Sequence, residues 1–171
     1  ADIVDTLISA GVDVNATEPA NGYTAASIAA QEGNLDILNK LIAAGAVLAV
    51  QGKQGSGPLL HACRANHVEV AQLLLEHGAD INAVDAVKRN CLQHAIEADA
   101  TDIISFAIDH GIDINARNDF NATPLNRALQ LHKTAIALQL VKVGADINLA
   151  EKLNKTALMY AASQDSMELL R

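Results

Sequence analysis

The chain has 171 residues, of which 50% are apolar and only 2% are aromatic. The apolar fraction is too high for a disordered chain, and a net charge of −8 argues against non-specific binding to nucleic acid. No apolar run approaches the roughly 20 residues that span a membrane, so we expect no membrane insertion. The interior has to be built from Ala, Leu, Ile and Val, which favours thin, closely packed layers.

Glycines recur every 33 residues along the chain, at Gly45, Gly78, Gly111 and Gly144. Each opens a similar phrase, such as Gly-Ala-Asp-Ile-Asn at 78–82, and an earlier copy begins at Gly11, one residue out of step. A fixed period of this length is the signature of stacked structural repeats. The sequence therefore predicts a quasi-linear solenoid in which each unit packs only against its neighbours.

The first residues of the chain align with Leu35–Ile42, so the chain is expected to begin on the second helix of a partial repeat. A single domain over 1–171 is then divided into a partial repeat at 1–16, repeats at about 17–50, 51–83, 84–116 and 117–149, and a partial repeat at 150–171. Because Leu169 and Leu170 would leave the last face apolar, we expect more repeats or a cap beyond Arg171.

Each unit is predicted to contain two short helices. The first helix begins after a residue that can accept a hydrogen bond from a first-turn amide; these are Thr24, Asn90, Thr123 and Thr156. A turn and a second helix with an apolar stripe follow, and the recurrent glycine suits the left-handed residue that ends a helix. A polar arm of about a dozen residues then leads to the next cap.

This pattern resembles the ankyrin repeat family. The resemblance is carried by Thr123-Pro124-Leu125, by Gly57-Pro58-Leu59-Leu60-His61-Ala62 and by residues 70–83, and it covers essentially the whole chain. It implies an all-α solenoid of stacked antiparallel helix pairs with projecting β-hairpin or loop fingers. It also implies a scaffold that binds a partner protein through the fingers and the first helices.

The sequence lacks the motifs of common catalytic sites. It has no HExxH, no phosphate-binding GxxxxGK[ST], no GxSxG and no GxGxxG. We therefore expect no catalysis, no cofactor and no small-molecule substrate. The alternative is that this segment is the targeting or substrate-recognition arm of a larger enzyme or of a host-directed effector.

Two cysteines are too few for a disulfide framework, which favours a reducing, intracellular and cytoplasmic setting. A single bridge and a secreted effector remain open alternatives. Cys63, Cys91 and His94 lie on adjacent first helices, so a zinc site is a further alternative. The favoured interpretation is that the cysteines fill small buried positions and that no metal is bound.

One position in the fingers is apolar in three consecutive repeats, at Val87, Phe120 and Leu153. Stacked 33 residues apart, these side chains are predicted to form an exposed apolar row, and exposed apolar patches usually mark interaction sites. The alternative is that each side chain packs against its own finger. Other candidate binding residues occupy nearby finger and first-helix positions: Tyr23, Arg64, Arg89, Arg117, Leu131 and Lys155.

Positive charge is predicted to collect on the same concave side. Seven of the twelve Lys and Arg residues fall there: Lys53, Arg64, Lys88, Arg89, Arg117, Lys152 and Lys155. Complementary charge steers association between proteins. We therefore expect a protein partner of acidic character.

Overall fold

The computed structural model describes residues 2–163 of the chain. Ten α-helices lie in this range: α1 (Ile3–Ser9), α2 (Ala25–Gln31), α3 (Leu35–Ala43), α4 (Pro58–Ala65), α5 (Val68–Glu76), α6 (Cys91–Ala98), α7 (Thr101–Asp109), α8 (Pro124–Gln130), α9 (Thr134–Lys142) and α10 (Ala157–Ser163). None of these helices is long and apolar enough to cross a membrane.

The helices form two stacked layers. The first helices α2, α4, α6, α8 and α10 pack against one another in order, and each of α2, α4, α6 and α8 also packs against the helix that follows it. Helices of seven to nine residues are too short to be stable alone, so they depend on these neighbours. The predicted all-α solenoid is confirmed.

Side-chain caps begin three of the first helices. Thr24, Asn90 and Thr123 each accept a hydrogen bond from the backbone N–H three residues on, which confirms three of the four predicted caps, and the cap at Thr156 stays a prediction. The recurrent glycines have positive φ angles, from 74° at Gly111 to 95° at Gly144. That left-handed conformation ends the second helices and favours glycine.

The core repeats the same small residues in each layer. One first-helix position is Ala in every repeat and is buried throughout: Ala29, Ala62, Ala95, Ala128 and Ala161. Because Ala has little volume, neighbouring first helices approach closely, and larger residues such as Leu38, Leu74 and Leu140 fill the space under the second helices. This packing accounts for the high apolar fraction with so few aromatic residues.

Asparagines after the glycine phrases join successive repeats. The side-chain oxygens of Asn15, Asn82 and Asn115 accept hydrogen bonds from the backbone N–H groups of Val47, Asp113 and Asp146, at 2.7, 2.8 and 2.9 Å. Each bond reaches the corresponding turn of the next unit. The stack is therefore held by polar contacts as well as by its core.

The fingers are loops built on turns, which is one of the two forms that the resemblance implied. Between residues 2 and 163 the β-pairing amounts to an isolated antiparallel bridge between Val84 and Asn90. The side-chain oxygen of Asp85 accepts the backbone N–H groups of Val87 and Arg89, and Asn118 does the same in the next repeat. These side chains bind amide groups that a strand would otherwise pair.

A disulfide joins Cys63 in α4 to Cys91 in α6, with the Cα atoms 5.4 Å apart. Both residues are completely buried. The cysteines do fill small buried positions, as expected, and they form the single bridge that the sequence left open as an alternative. The zinc alternative fails, because bonded sulfur atoms cannot serve as thiolate ligands.

The predicted boundaries of the repeats remain an expectation. Residues 164–171 lie outside the described part of the chain, and Leu169 and Leu170 are among them. The prediction of further repeats or of a cap beyond Arg171 depends on those residues.

Candidate protein-binding surface

Backbone hydrogen bonds connect each finger to the next. The carbonyl of Val87 accepts from the N–H of Asp119 at 3.0 Å, and the carbonyl of Phe120 accepts from Lys152 at 2.9 Å. The same bond joins Gln54 to Ala86 one repeat earlier. This ladder holds equivalent finger positions side by side, so their side chains follow one line along the stack.

The apolar row comprises Val87, Phe120 and Leu153. Phe120 is 58% exposed and Leu153 is 75% exposed, while Val87 is half-buried. The three side chains border one groove of about 390 Å³. Large apolar side chains at such exposure lose contact with water when a partner covers them, which makes this row favourable for binding.

Paired charges form the floor of the groove. Arg89 contacts Asp85 at 2.8 Å and Glu97 at 3.0 Å, and Glu97 also contacts Arg127 in the next first helix at 2.8 Å. Planar guanidinium groups bind carboxylates in a fixed geometry. The chain of ion pairs therefore fixes the side chains of two neighbouring repeats relative to each other.

The floor continues into the last described repeat through hydrogen bonds among Gln130, Glu151 and Tyr160. The amide of Gln130 donates to Glu151 at 3.1 Å and to the hydroxyl of Tyr160 at 2.8 Å. That hydroxyl in turn donates to Glu151 at 2.7 Å. Burial, together with the Glu151 carboxylate, raises the pKa of Tyr160, so the hydroxyl keeps its proton and remains a donor.

Asp85 is the buried anchor of this network, with a side chain only 1% exposed. Burial by itself would raise the pKa of Asp85, but hydrogen bonds from the backbone and guanidinium of Arg89 lower it overall. The same carboxylate lies 3.1 Å from the ring of His94. Burial and the charge of Arg89 lower the pKa of His94, so Asp85 faces a neutral imidazole at neutral pH.

Comparison with known sequences decides the family. The family model for ankyrin repeats matches residues 1–85 and 82–151.

The chain belongs to the ankyrin repeat family.

Two ankyrin repeat relatives match about half of the chain. The ankyrin repeat and KH domain-containing protein mask-1 of Caenorhabditis elegans is 35% identical over 85 residues, which are 49% of this chain and 3% of that protein. The B-cell lymphoma 3 protein homolog of Mus musculus is 37% identical over 82 residues, 47% of this chain and 18% of that protein. The matched segments are thus small parts of both relatives.

Some of the other predicted binding residues of this ankyrin repeat domain lie at the groove, and others lie away from it. Arg89 lines the groove, and the ammonium group of Lys155 lies 5.5 Å from the ring of Tyr160 at its end. Arg117 is exposed, although it does not line the groove. Leu131 packs against the hydrophobic core and is not brought to the groove.

Two more of the predicted residues lie beside a smaller cavity between the second and third complete repeats. Tyr23 and Arg64 line this cavity together with His61, and the Tyr23 ring meets the His61 ring edge-on at 4.5 Å between centroids. The structure thus separates the predicted surface into a groove bordered by the apolar row and a polar cavity nearby. Arg89 and Glu97 line both.

The floor network was only partly visible in the sequence. Glu97 and Gln130 occupy equivalent first-helix positions 33 residues apart, which places them on the inner face. Arg127 and Glu151 were not recognised from the sequence as part of the floor. Their roles depend on which side chains meet between repeats, and the period alone does not specify that.

Proposed function

We propose that this ankyrin repeat domain binds a partner protein through the groove bordered by Val87, Phe120 and Leu153. The observation that carries the proposal is an exposed apolar row beside a rigid charged floor on one face. Protein-binding hot spots combine large apolar or aromatic anchors with oriented polar groups. Ankyrin repeats typically mediate interactions between proteins, which agrees with this geometry.

The charges on this face favour an acidic partner. The carboxylates Asp85, Glu97, Asp119 and Glu151 are all engaged by side chains of the domain itself. By contrast, three positive side chains make no hydrogen bond or ion pair within residues 2–163: Arg64, Arg117 and Lys152. A partner that supplies acidic groups near its apolar anchor would complement them.

The domain acts in this proposal as a binding module without catalysis, and its ligand is neither nucleic acid nor a small-molecule substrate. The net charge of −8 disfavours a polyanion over the whole surface. Seven of the twelve Lys and Arg residues fall on the side predicted to be concave, where they suit a protein with a few acidic side chains.

The disulfide bears on where the domain works. Structural disulfides persist in oxidising compartments and are rare in the cytosol. The buried Cys63–Cys91 bond therefore supports the secreted alternative over a cytoplasmic one. We include an oxidising compartment in the proposal, and the redox measurement described in the Discussion tests it.

The binding surface is tested by adding charge to the apolar row. Phe120→Asp combined with Leu153→Asp is expected to abolish binding of a partner captured from the native source and identified by mass spectrometry. Exposed substitutions in turns should leave the helical circular dichroism unchanged. Retained affinity in a correctly folded double variant contradicts the proposal.

A matched control carries the same added charge elsewhere. Val12→Asp combined with Val47→Asp changes two valines that are each 50% exposed and lie in the first two units, away from the groove. The position of Val47 holds Asp in later repeats, at Asp80, Asp113 and Asp146, so Asp is compatible with the turn. This control variant is expected to bind like the unmodified domain.

A further inference from the structure

The three fingers that border the groove differ at one position. The position holds a carboxylate in the first and the third finger, at Asp85 and Glu151, but a carboxamide in the second, at Asn118. Both carboxylates accept hydrogen bonds from side chains of the first helices behind them. Asn118 makes no such bond to a side chain in the described part of the chain. The second finger therefore lacks an acidic group that both of its neighbours have.

The backbone of the second finger fixes the orientation of the Asn118 carboxamide. Its Oδ1 atom accepts the N–H groups of Phe120 at 2.9 Å and of Ala122 at 3.1 Å. Because two N–H donors must face the oxygen of a carboxamide, Nδ2 is the polar atom that remains. Asn118 is only 8% exposed and lines the groove, and its Nδ2 has no hydrogen-bond partner within residues 2–163. A buried side chain thus leaves an unused donor at the groove.

The second finger also leaves room beside this donor. The position that holds Arg89 in the first finger and Lys155 in the third holds Ala122 in the second. In the first finger the guanidinium of Arg89 contacts Asp85 at 2.8 Å. Ala122 cannot make such a contact, and it lines the groove of about 390 Å³ together with Asn118. The groove therefore lies where the second finger lacks both members of an internal ion pair.

The other polar side chains of the groove offer donors rather than acceptors. They are Arg89, Glu97, Arg127, Gln130, Glu151 and Lys152. Every side-chain oxygen of the lining residues already accepts at least one hydrogen bond from the domain. Among the charged lining residues, Lys152 is the one that makes no hydrogen bond or ion pair through its side chain within residues 2–163. The unused groups are therefore the Nδ2 atom of Asn118 and the ammonium group of Lys152.

Phe120 adjoins both residues that carry these unused donors. Its N–H donates to Oδ1 of Asn118 at 2.9 Å, and its carbonyl accepts from the backbone N–H of Lys152 at 2.9 Å. The Phe120 side chain is 58% exposed. A partner that covers this ring therefore brings its neighbouring groups close to both donors.

We propose that the groove binds the carboxylate of a glutamate or aspartate side chain that lies next to an apolar residue of the partner protein. A carboxylate oxygen accepts from Nδ2 of Asn118, the ammonium group of Lys152 complements its charge, and the apolar residue covers Phe120. A carboxylate fits because it only accepts hydrogen bonds, whereas a lysine or arginine of the partner would meet donors and oxygens that are already engaged. The inference rests on the proposed function, since it takes the groove as the binding surface and names the group that enters it.

The test uses two peptides that differ in one group, acetyl-Leu-Glu-Leu-amide and acetyl-Leu-Gln-Leu-amide. Side-chain amide resonances of the isotope-labelled, oxidised domain are followed by NMR at neutral pH during titration with each peptide. The acidic peptide is expected to shift the NH₂ resonances of Asn118 saturably. It is expected to bind about tenfold more tightly than the neutral peptide, since hydrogen bonds to charged groups are the stronger ones. Asn39, which is exposed on α3, serves as an internal reference that should not move.

Asn118→Asp replaces the unused donor with an acceptor and keeps the turn. Asp85 builds the same turn in the first finger, because its Oδ1 atom accepts the equivalent N–H groups of Val87 and Arg89. The variant should therefore keep its helical circular dichroism, and it is expected to weaken binding of the acidic peptide about tenfold or more. Asn39→Asp adds the same charge on α3 and is expected to change nothing.

Lys152→Gln tests the charge separately from the hydrogen bond. Lys152 is exposed, so its loss is expected to weaken binding of the acidic peptide by a smaller factor, roughly threefold, and to leave the neutral peptide unaffected. Arg117→Gln removes an exposed positive charge that does not line the groove, and it serves as the matched control. Equal effects of the two substitutions would contradict the role of Lys152.

Three further results overturn the proposal. Equal affinity for the two peptides means that Asn118 takes a neutral carbonyl group. Absence of a saturable shift at Asn118 with either peptide means that no acceptor enters there, and unchanged affinity in Asn118→Asp places the carboxylate elsewhere. None of these results depends on the captured partner, so failure here is distinguishable from failure of the apolar row, which is measured through the Phe120 and Leu153 variant.

Discussion

The disulfide between α4 and α6 gives the most quantitative prediction about stability. The perturbation is reduction of Cys63–Cys91, or its removal by Cys63→Ala combined with Cys91→Ala. Alanine is the natural occupant of both positions elsewhere, at Ala30 for the first and at Ala25 and Ala157 for the second. The double variant therefore fits the repeat, while reduction of the unmodified domain isolates the effect of the covalent bond.

The magnitude follows from the length of the closed loop. The cysteines are 28 residues apart, and closing a loop of that size lowers the entropy of the unfolded chain by an amount worth about 3.5 kcal/mol at 25 °C. With a denaturant dependence of about 2 kcal/mol per molar urea, the unfolding midpoint should fall by about 1.7 M on reduction. Both sulfur atoms are fully buried, so their loss also removes packing contacts.

The assay is urea unfolding followed by helical circular dichroism, with and without dithiothreitol. The unmodified domain should lose stability in the reductant, and the double alanine variant should show one midpoint in both conditions. Alkylation of the native protein without reductant, followed by mass spectrometry, should find no free thiol. Equal midpoints for the unmodified domain in both conditions, or two alkylated cysteines, would refute the reasoning.

Two further substitutions test the fingers. Asp85→Asn keeps a turn of the kind built by Asn118 but removes the ion pair with Arg89, so it should cost about 2 kcal/mol of unfolding free energy at pH 7. Because folding lowers the pKa of Asp85, its contribution is present at neutral pH and is lost on acidification, so thermal unfolding should show the stability gap between the two proteins narrowing as the pH falls through and below about 4. Gly55→Ala places a Cβ against the backbone of the next finger at φ 75°, whereas Gly11→Ala at φ 82° meets nothing within 4 Å. Urea unfolding should therefore show the first to be more destabilising by at least about 1 kcal/mol, and equal effects would contradict the finger packing.

The repeat architecture could be predicted because the same types of residue recur at equivalent positions of each unit. Thr24, Asn90 and Thr123 cap helices in the structure as their sequence positions indicate. The apolar row could also be predicted from the sequence, since a period of 33 places Val87, Phe120 and Leu153 at one finger position. The backbone ladder between fingers then preserves that alignment in space.

Contacts between different positions of neighbouring repeats could not be predicted in the same way. The period places Cys63 and Cys91 on adjacent first helices but aligns Cys63 with Ile96, so it left a bridge as one alternative among others. The actual pairing depends on the axial offset between α4 and α6. The position of Leu131 could not be predicted for a related reason, because a residue at a helix end can turn inward and pack against the core.

The central claim is that the row of Val87, Phe120 and Leu153 anchors a partner protein. Its most direct test is the dissociation constant of the identified partner for the Phe120→Asp, Leu153→Asp variant, beside that for the Val12→Asp, Val47→Asp control. Loss of two hot-spot side chains predicts weakening of about 100-fold or more for the first variant and none for the second. Equal affinity of both variants, or weakening confined to the control, would contradict the account.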